Sequence, residues 1–103
     1  MNRKYYVMHN DGLHETQGEI IKINGIEYGI NLTGSKFISD KYGLTELKTG
    51  VLIGTASTKK EVKEQAKQYI ERLEQYKIDK PETYEHRCEQ FNYFMQKINN
   101  QTA

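Results

Sequence analysis

Hydrophobic and polar residues alternate most regularly from Ile20 to Leu32, in Ile-Ile-Lys-Ile-Asn-Gly-Ile-Glu-Tyr-Gly-Ile-Asn-Leu. The two alternating runs flank Asn24-Gly25, the pair favoured in type I′ hairpin turns because both central residues need positive φ. A two-residue loop there sets Ile23 opposite Ile26 and Ile21 opposite Tyr28, and Ile30 and Leu32 extend the same face. Glu19, Lys22, Glu27 and Asn31 are the polar positions, most of them directed away from that face. The pattern predicts an antiparallel sheet with one apolar side to cover and one wet side.

Other segments extend this picture. Lys4 to Met8 has the aromatic and β-branched bias of a strand, and His9-Asn-Asp-Gly after it is turn chemistry. Thr33-Gly-Ser interrupts the pattern, and Lys36 to Ser39 reads as a short strand. Leu44 to Leu47 and Val51 to Thr55 form a second hairpin across Lys48-Thr-Gly50. Thr58-Lys-Lys-Glu61 is a capping box, in which hydroxyl and carboxylate each satisfy a free backbone donor. Val62, Ala66, Tyr69, Ile70, Leu73 and Tyr76 then recur at spacings of three and four, the stripe of a helix that covers the sheet. Pro81 ends that helix and opens another, from about residue 82 to 98. The second helix carries Tyr84, Cys88, Phe91, Met95 and Ile98 on one face, with Phe94 adjoining.

The expected fold is α+β: a small antiparallel sheet of four or five strands covered by a C-terminal α-helical hairpin. Residues 1–98 form one domain, with the sheet in 1–57, the helices in 58–98 and a disordered tail at 99–103.

Composition narrows the function classes. The chain has 103 residues, of which 36% are apolar and 28% charged, and its mean hydropathy is −0.86. That suits a two-layer domain better than a deep enzyme fold. Net charge is +1, too small for whole-molecule attraction to phosphate. The charge is uneven: residues 36–67 hold seven lysines against four acids, a local +3. A lone cysteine, Cys88, suits a reducing compartment. With no apolar run near the N-terminus or elsewhere, the expectation is a cytoplasmic protein.

Three groups of residues could carry chemistry. His9, Asp11, His14 and Glu15 offer acid, base and metal-ligand groups within seven residues, but spacing in a turn sets no geometry, and a solvated loop is the plainer account. His86 and Cys88 diverge around a helix, so no metal is expected there. Gly50-Val-Leu-Ile-Gly54-Thr lacks the Gly-Lys-Ser/Thr ending of a phosphate loop. No catalytic residues, cofactor or metal follow, and the chain reads as non-enzymatic.

Lys59, Lys60, Lys63 and Lys67 crowd the start of the first helix, where the macrodipole favours acids. Joined by Lys48, and with Lys41 near, they would form a nucleic-acid-binding face. Alternatively they are solvated, with Lys60–Glu64 and Lys67–Glu71 as (i, i+4) pairs. The aromatic residues of the second helix form the third group. Tyr84, Phe91, Tyr93 and Phe94 spread over more than one helix face and suit a partner-binding or self-association surface, hence a homodimer.

Leu44-Thr-Glu-Leu-Lys-Thr-Gly-Val-Leu-Ile followed by Thr58-Lys-Lys-Glu-Val resembles a pattern in small accessory proteins of phages, prophages and plasmids of low-GC Gram-positive bacteria. The resemblance covers about a quarter of the chain and implies no catalytic residues. It implies a mobile-element protein whose target is a host or defence protein. The expected function is a small protein–protein interaction module, an inhibitor that occludes or bridges its partner. The alternative is a nucleic-acid-binding accessory protein using the lysines. No membrane association is expected.

Overall fold

The computed structural model describes residues 2–102. Of the tail expected to be disordered at 99–103, residues 99–102 are helical instead, and Ala103 lies outside the described residues. Five strands form one sheet in sequential order: β1 (Asn2–His9), β2 (Gly12–Ile23), β3 (Ile26–Leu32), β4 (Tyr42–Glu46) and β5 (Val51–Ala56). All neighbours are antiparallel. Two helices follow, α1 (Lys59–Asp79) and α2 (Pro81–Thr102). None of the described helices is long and apolar enough to cross a membrane.

The β2–β3 hairpin has the predicted register, Ile23 opposite Ile26 and Ile21 opposite Tyr28. Its turn has φ of +51° at Asn24 and +80° at Gly25, as a type I′ turn requires. Tyr28, Ile30 and Leu44 on one sheet face pack against Val62, Ala66, Tyr69 and Ile70 of α1, with Ala56 at the edge. A register shift in β5 sets Gly54 opposite Leu44 and Leu52 opposite Thr45, so Ile53 is the extra residue of a bulge. Ile53 packs against the α1 side of the core. Gly54 leaves room for the Tyr69 ring, whose carbons lie 2.4 Å from where a Cβ would stand.

The second face is wet only in part: Lys22 and Glu27 near the hairpin turn are exposed, as the alternation pattern predicts, but the rest is covered. Tyr5, Val7, Asn31 and Thr45 are all buried there. The Tyr5 hydroxyl reaches over β2 to donate to Asn31 Oδ1 (2.7 Å), and the Thr45 hydroxyl donates to the same oxygen (2.8 Å). Arg3 and Glu27 make the same two-strand reach (3.2 Å). Meanwhile β1 meets the β4–β5 turn, with the Met8 N–H bonded to the Gly50 carbonyl (2.7 Å). The sheet is therefore bent enough to close this face on itself. Burial and the loss of hydration push the Tyr5 hydroxyl's pKa far up, so it stays a neutral donor.

Lys36–Ser39 does not form the expected strand. Residues 38–40 form a 3₁₀ turn instead, because side-chain hydroxyls hold the loop in another shape. The Thr58 hydroxyl caps α1 by accepting from the Glu61 N–H (3.1 Å). The reciprocal half of the box differs: the Glu61 carboxylate accepts from the Ser57 hydroxyl at 2.5 Å. Lys80 closes α1 with φ −136°, and α2 starts at Pro81. Contacts between the helices lie near this joint, where Arg87 lies over the Tyr76 ring and Lys77 over that of Tyr84. Beyond it α2 runs to the turn tips: Phe91 lies against Gly50 and Phe94 against Gly12. Helix α1 covers the sheet face, while α2 closes its end.

Candidate functional site

The segment between β3 and β4 departs furthest from what folding alone would select. Phe37 is 72% exposed and its neighbour Ile38 is 79% exposed. Adjacent large apolar side chains in water cost hydration free energy and add nothing to the core. The loop that carries them is held at both ends. The Thr33 N–H bonds to the Lys41 carbonyl (3.0 Å), and the Thr33 hydroxyl donates to the Asp40 carbonyl. Thr33 Oγ1 accepts from the Ser35 N–H, and Ser35 Oγ accepts from the Phe37 N–H, both at 3.1 Å. The Thr55 hydroxyl donates to Asp40 Oδ1 (3.0 Å), which ties the 3₁₀ turn to β5. Such side-chain to backbone bonds are how Ser, Thr and Asp impose a local shape in place of a strand.

Lys36 and Lys41 flank the apolar pair. Lys41 and Lys59 both approach the Tyr42 ring, with Nζ 5.7 and 5.9 Å from its centroid. The surface is thus two apolar anchors with a basic border, on a pre-shaped loop. Sequence reasoning missed it because Phe37-Ile38 matches strand propensity. The available signal was Thr33-x-Ser35, two hydroxyls placed to cap the following turn.

The aromatic residues of α2 are arranged differently from a free interaction face. Phe91 and Phe94 are half-buried on the turn tips, and the Tyr84 hydroxyl points inward to Glu46 (2.9 Å). Tyr93 is the exposed one of the four; it meets Phe94 edge-on and carries Lys97 over its ring. Cys88 is half-buried and unpaired by disulfide.

The lysines do not form one patch. Lys48 sits on the β4–β5 turn, and the start of α1 follows the far end of β5, roughly 17–20 Å away along a six-residue strand. Lys60–Glu64 and Lys67–Glu71 do not close as ion pairs among the described residues. Instead Lys63 Nζ lies 2.6 Å from Glu19 Oε2 on β2. That hydrogen bond, with the lysine charge, holds the Glu19 carboxyl below its ordinary value of 4.5.

A depressed carboxyl pKa stabilises the fold above the unfolded value, and the contribution is lost as pH falls through the folded value. Lys63→Ala is therefore expected to cost up to about 1 kcal/mol near neutral pH, since the pair is solvent-screened. Urea unfolding at several pH values should show the difference from wild type vanishing below the carboxylate range. A deficit that persists at low pH would mean Lys63 acts through packing.

At the β1–β2 turn, His14 Nε2 lies 2.6 Å from Asp11 Oδ1, and the His9 ring meets His14 edge-on at 4.6 Å. The His14 contact comes first in holding the Asp11 carboxyl below its usual range. Asp11 and His14 are solvent-facing, beside a shallow hollow of about 240 Å³ lined by Val7, Thr16, Asn31 and Leu52. Among the described residues no three His, Cys, Asp or Glu side chains converge as a metal-ligand group.

Sequence reasoning also passed over Glu46, although it shares the core-facing parity of Tyr42 and Leu44. Glu46 is 3% exposed. Its carboxylate accepts from Thr49 (2.6 Å) and Tyr84 (2.9 Å), and Lys77 Nζ stands 3.6 Å away. Burial alone would lower the Lys77 pKa, but the Glu74 hydrogen bond and the Glu46 charge outweigh it and raise it. Burial first, then the Glu46 hydrogen bond, raises the Tyr84 hydroxyl's pKa.

Fold and surface together define a small α+β protein built on a bent meander sheet. No protein-family model matches the chain, and no curated protein or solved structure matches it.

Proposed function

We propose that the chain is a small non-enzymatic interaction protein that docks on its partner through Phe37 and Ile38. The observation behind this reading is their exposure on a loop that hydrogen bonds already hold in shape. An anchor held in its bound shape loses little entropy on docking, and buried aromatic anchors dominate most interfaces. Lys36 and Lys41 at the border favour a partner with an apolar pocket rimmed by acidic residues. The resemblance to mobile-element proteins makes a host or defence protein the expected target, with the chain acting as its inhibitor. Three of the four α2 aromatics already serve intramolecular contacts, which favours the loop over α2 as the docking surface.

The test places a photo-crosslinking residue at position 37 and, separately, at exposed Ile78, in cells that naturally express the chain. We expect a discrete adduct from position 37 that Ile38→Glu removes, with the melting temperature of that variant within a few degrees of wild type. An adduct indifferent to Ile38→Glu, equal labelling from position 78, or no adduct at all would overturn the assignment.

A further inference from the structure

A second feature is independent of the docking loop. Between α1, α2 and β5 lies an open cleft of about 210 Å³, lined by residues that include Glu46, Val51, Ile53 and Leu73. Arg72 and Arg87, both exposed, also line it. Each guanidinium carbon lies over a ring, Arg72 over Tyr69 at 5.4 Å and Arg87 over Tyr76 at 5.5 Å from the centroid. A cation–π contact restrains the side chain, and among the described residues neither guanidinium donates a hydrogen bond to a protein acceptor. Among the described residues no carboxylate lies within ion-pair distance of either arginine. Glu46, the acid that lines the cleft, is already occupied by Thr49, Tyr84 and Lys77.

The cleft thus presents two guanidinium groups without a carboxylate partner beside an apolar lining. We propose that it binds a small ligand in which a carboxylate or phosphate is attached to a planar apolar body. Arg72 and Arg87 take the anion, for which the guanidinium fork is matched in geometry and charge. The body lies against Val51, Ile53, Leu73 and the Tyr76 ring. The volume is below the roughly 300–1,000 Å³ of pockets that enclose whole drug-sized molecules, so the site takes a fragment or one end of a larger ligand.

The test is titration of the isotope-labelled chain with phenyl phosphate and with benzoate, followed by NMR. We expect saturable shifts at the Arg72 and Arg87 side-chain N–H signals and at Val51 and Tyr76 amides. Inorganic phosphate and benzyl alcohol, which each lack half of the chemistry, should bind at least tenfold more weakly. Preference for phenyl phosphate over benzoate identifies a phosphate-bearing ligand, and the reverse a carboxylate. Arg72→Gln with Arg87→Gln should weaken binding at least tenfold, while Lys22→Gln with Lys60→Gln, an equal charge loss outside the cleft lining, leaves it unchanged. If the double glutamine variant does not fold, Arg72→Lys and Arg87→Lys keep charge but lose the fork and should each weaken binding several-fold. Absence of saturable shifts with both probes would overturn the proposal. So would binding indifferent to the arginine variants, or shifts confined to the lysines at the start of α1.

Discussion

Gly18→Ala is expected to lower the unfolding free energy by about 3 kcal/mol, the upper part of the range for forced overpacking. A Cβ on Gly18 would stand 2.1 Å from the Ile30 carbonyl oxygen, which belongs to the neighbouring strand's backbone and cannot swing aside. Gly29→Ala should behave similarly for a different reason. There the added carbon would meet the Tyr5 ring at 2.3 Å, and that ring is held by its hydroxyl bond to Asn31. The two substitutions therefore test separate claims about the second sheet face. Equilibrium urea denaturation measures both. If Gly29→Ala falls within 0.5 kcal/mol of wild type, as ordinary surface changes do, Tyr5 does not lie across β2 as described.

Glu46→Ala is the second large effect, expected at about 2–3 kcal/mol. Removing one partner of a buried ion pair typically costs 3–5 kcal/mol, and Lys77, which is partly exposed, recovers some of that by hydration. Thr49 and Tyr84 would also lose their acceptor. The loss should be uneven. Among the described residues helix α2 has no fully buried side chain, and it is held by Tyr84, Phe91 and Phe94. Hydrogen exchange should show α2 amides losing protection before those of β3 and β4, as expected of a weakly packed unit. Tyr84→Phe, which removes one hydrogen bond, should cost about 1 kcal/mol with the same regional pattern. A uniform loss of protection across the chain would mean that Glu46 supports the whole core rather than the docking of α2.

The legible parts of the chain are those whose cause is local. Asn24-Gly25, the Thr58 cap and the Lys80-Pro81 break were each decided by a few neighbouring residues, and the structure follows them. The helical stripe from Val62 to Ile70 was legible because burial on one face leaves a period in the sequence. The second sheet face was not, since Tyr5 and Asn31 are 26 positions apart and neither looks unusual alone. Two signals stood in plain view: glycines inside strands, which mark close approach of another group, and a glutamate at a core-facing position. The strand expected at Lys36–Ser39 lost to the hydroxyls of Thr33 and Ser35, whose bonds to nearby backbone outcompete a ladder that has no partner strand. Both candidate sites share this difficulty. Phe37-Ile38 resembles a strand, and Tyr69-x-x-Arg72 and Tyr84-x-x-Arg87 resemble ordinary helix surface until the two helices bring the arginines to one cleft.

The sequential strand order carries a kinetic consequence. Each strand pairs with the one made just before it, so no pairing waits for a distant segment of chain. A topology dominated by such near-neighbour contacts folds quickly. On the ribosome, at about 5–20 residues per second, the β2–β3 hairpin emerges and can form before β4 does. The bond from Met8 to Gly50 must come later, after the second turn emerges. Assembly of this sheet is therefore a zipper that runs from the N-terminus and closes on its own first strand.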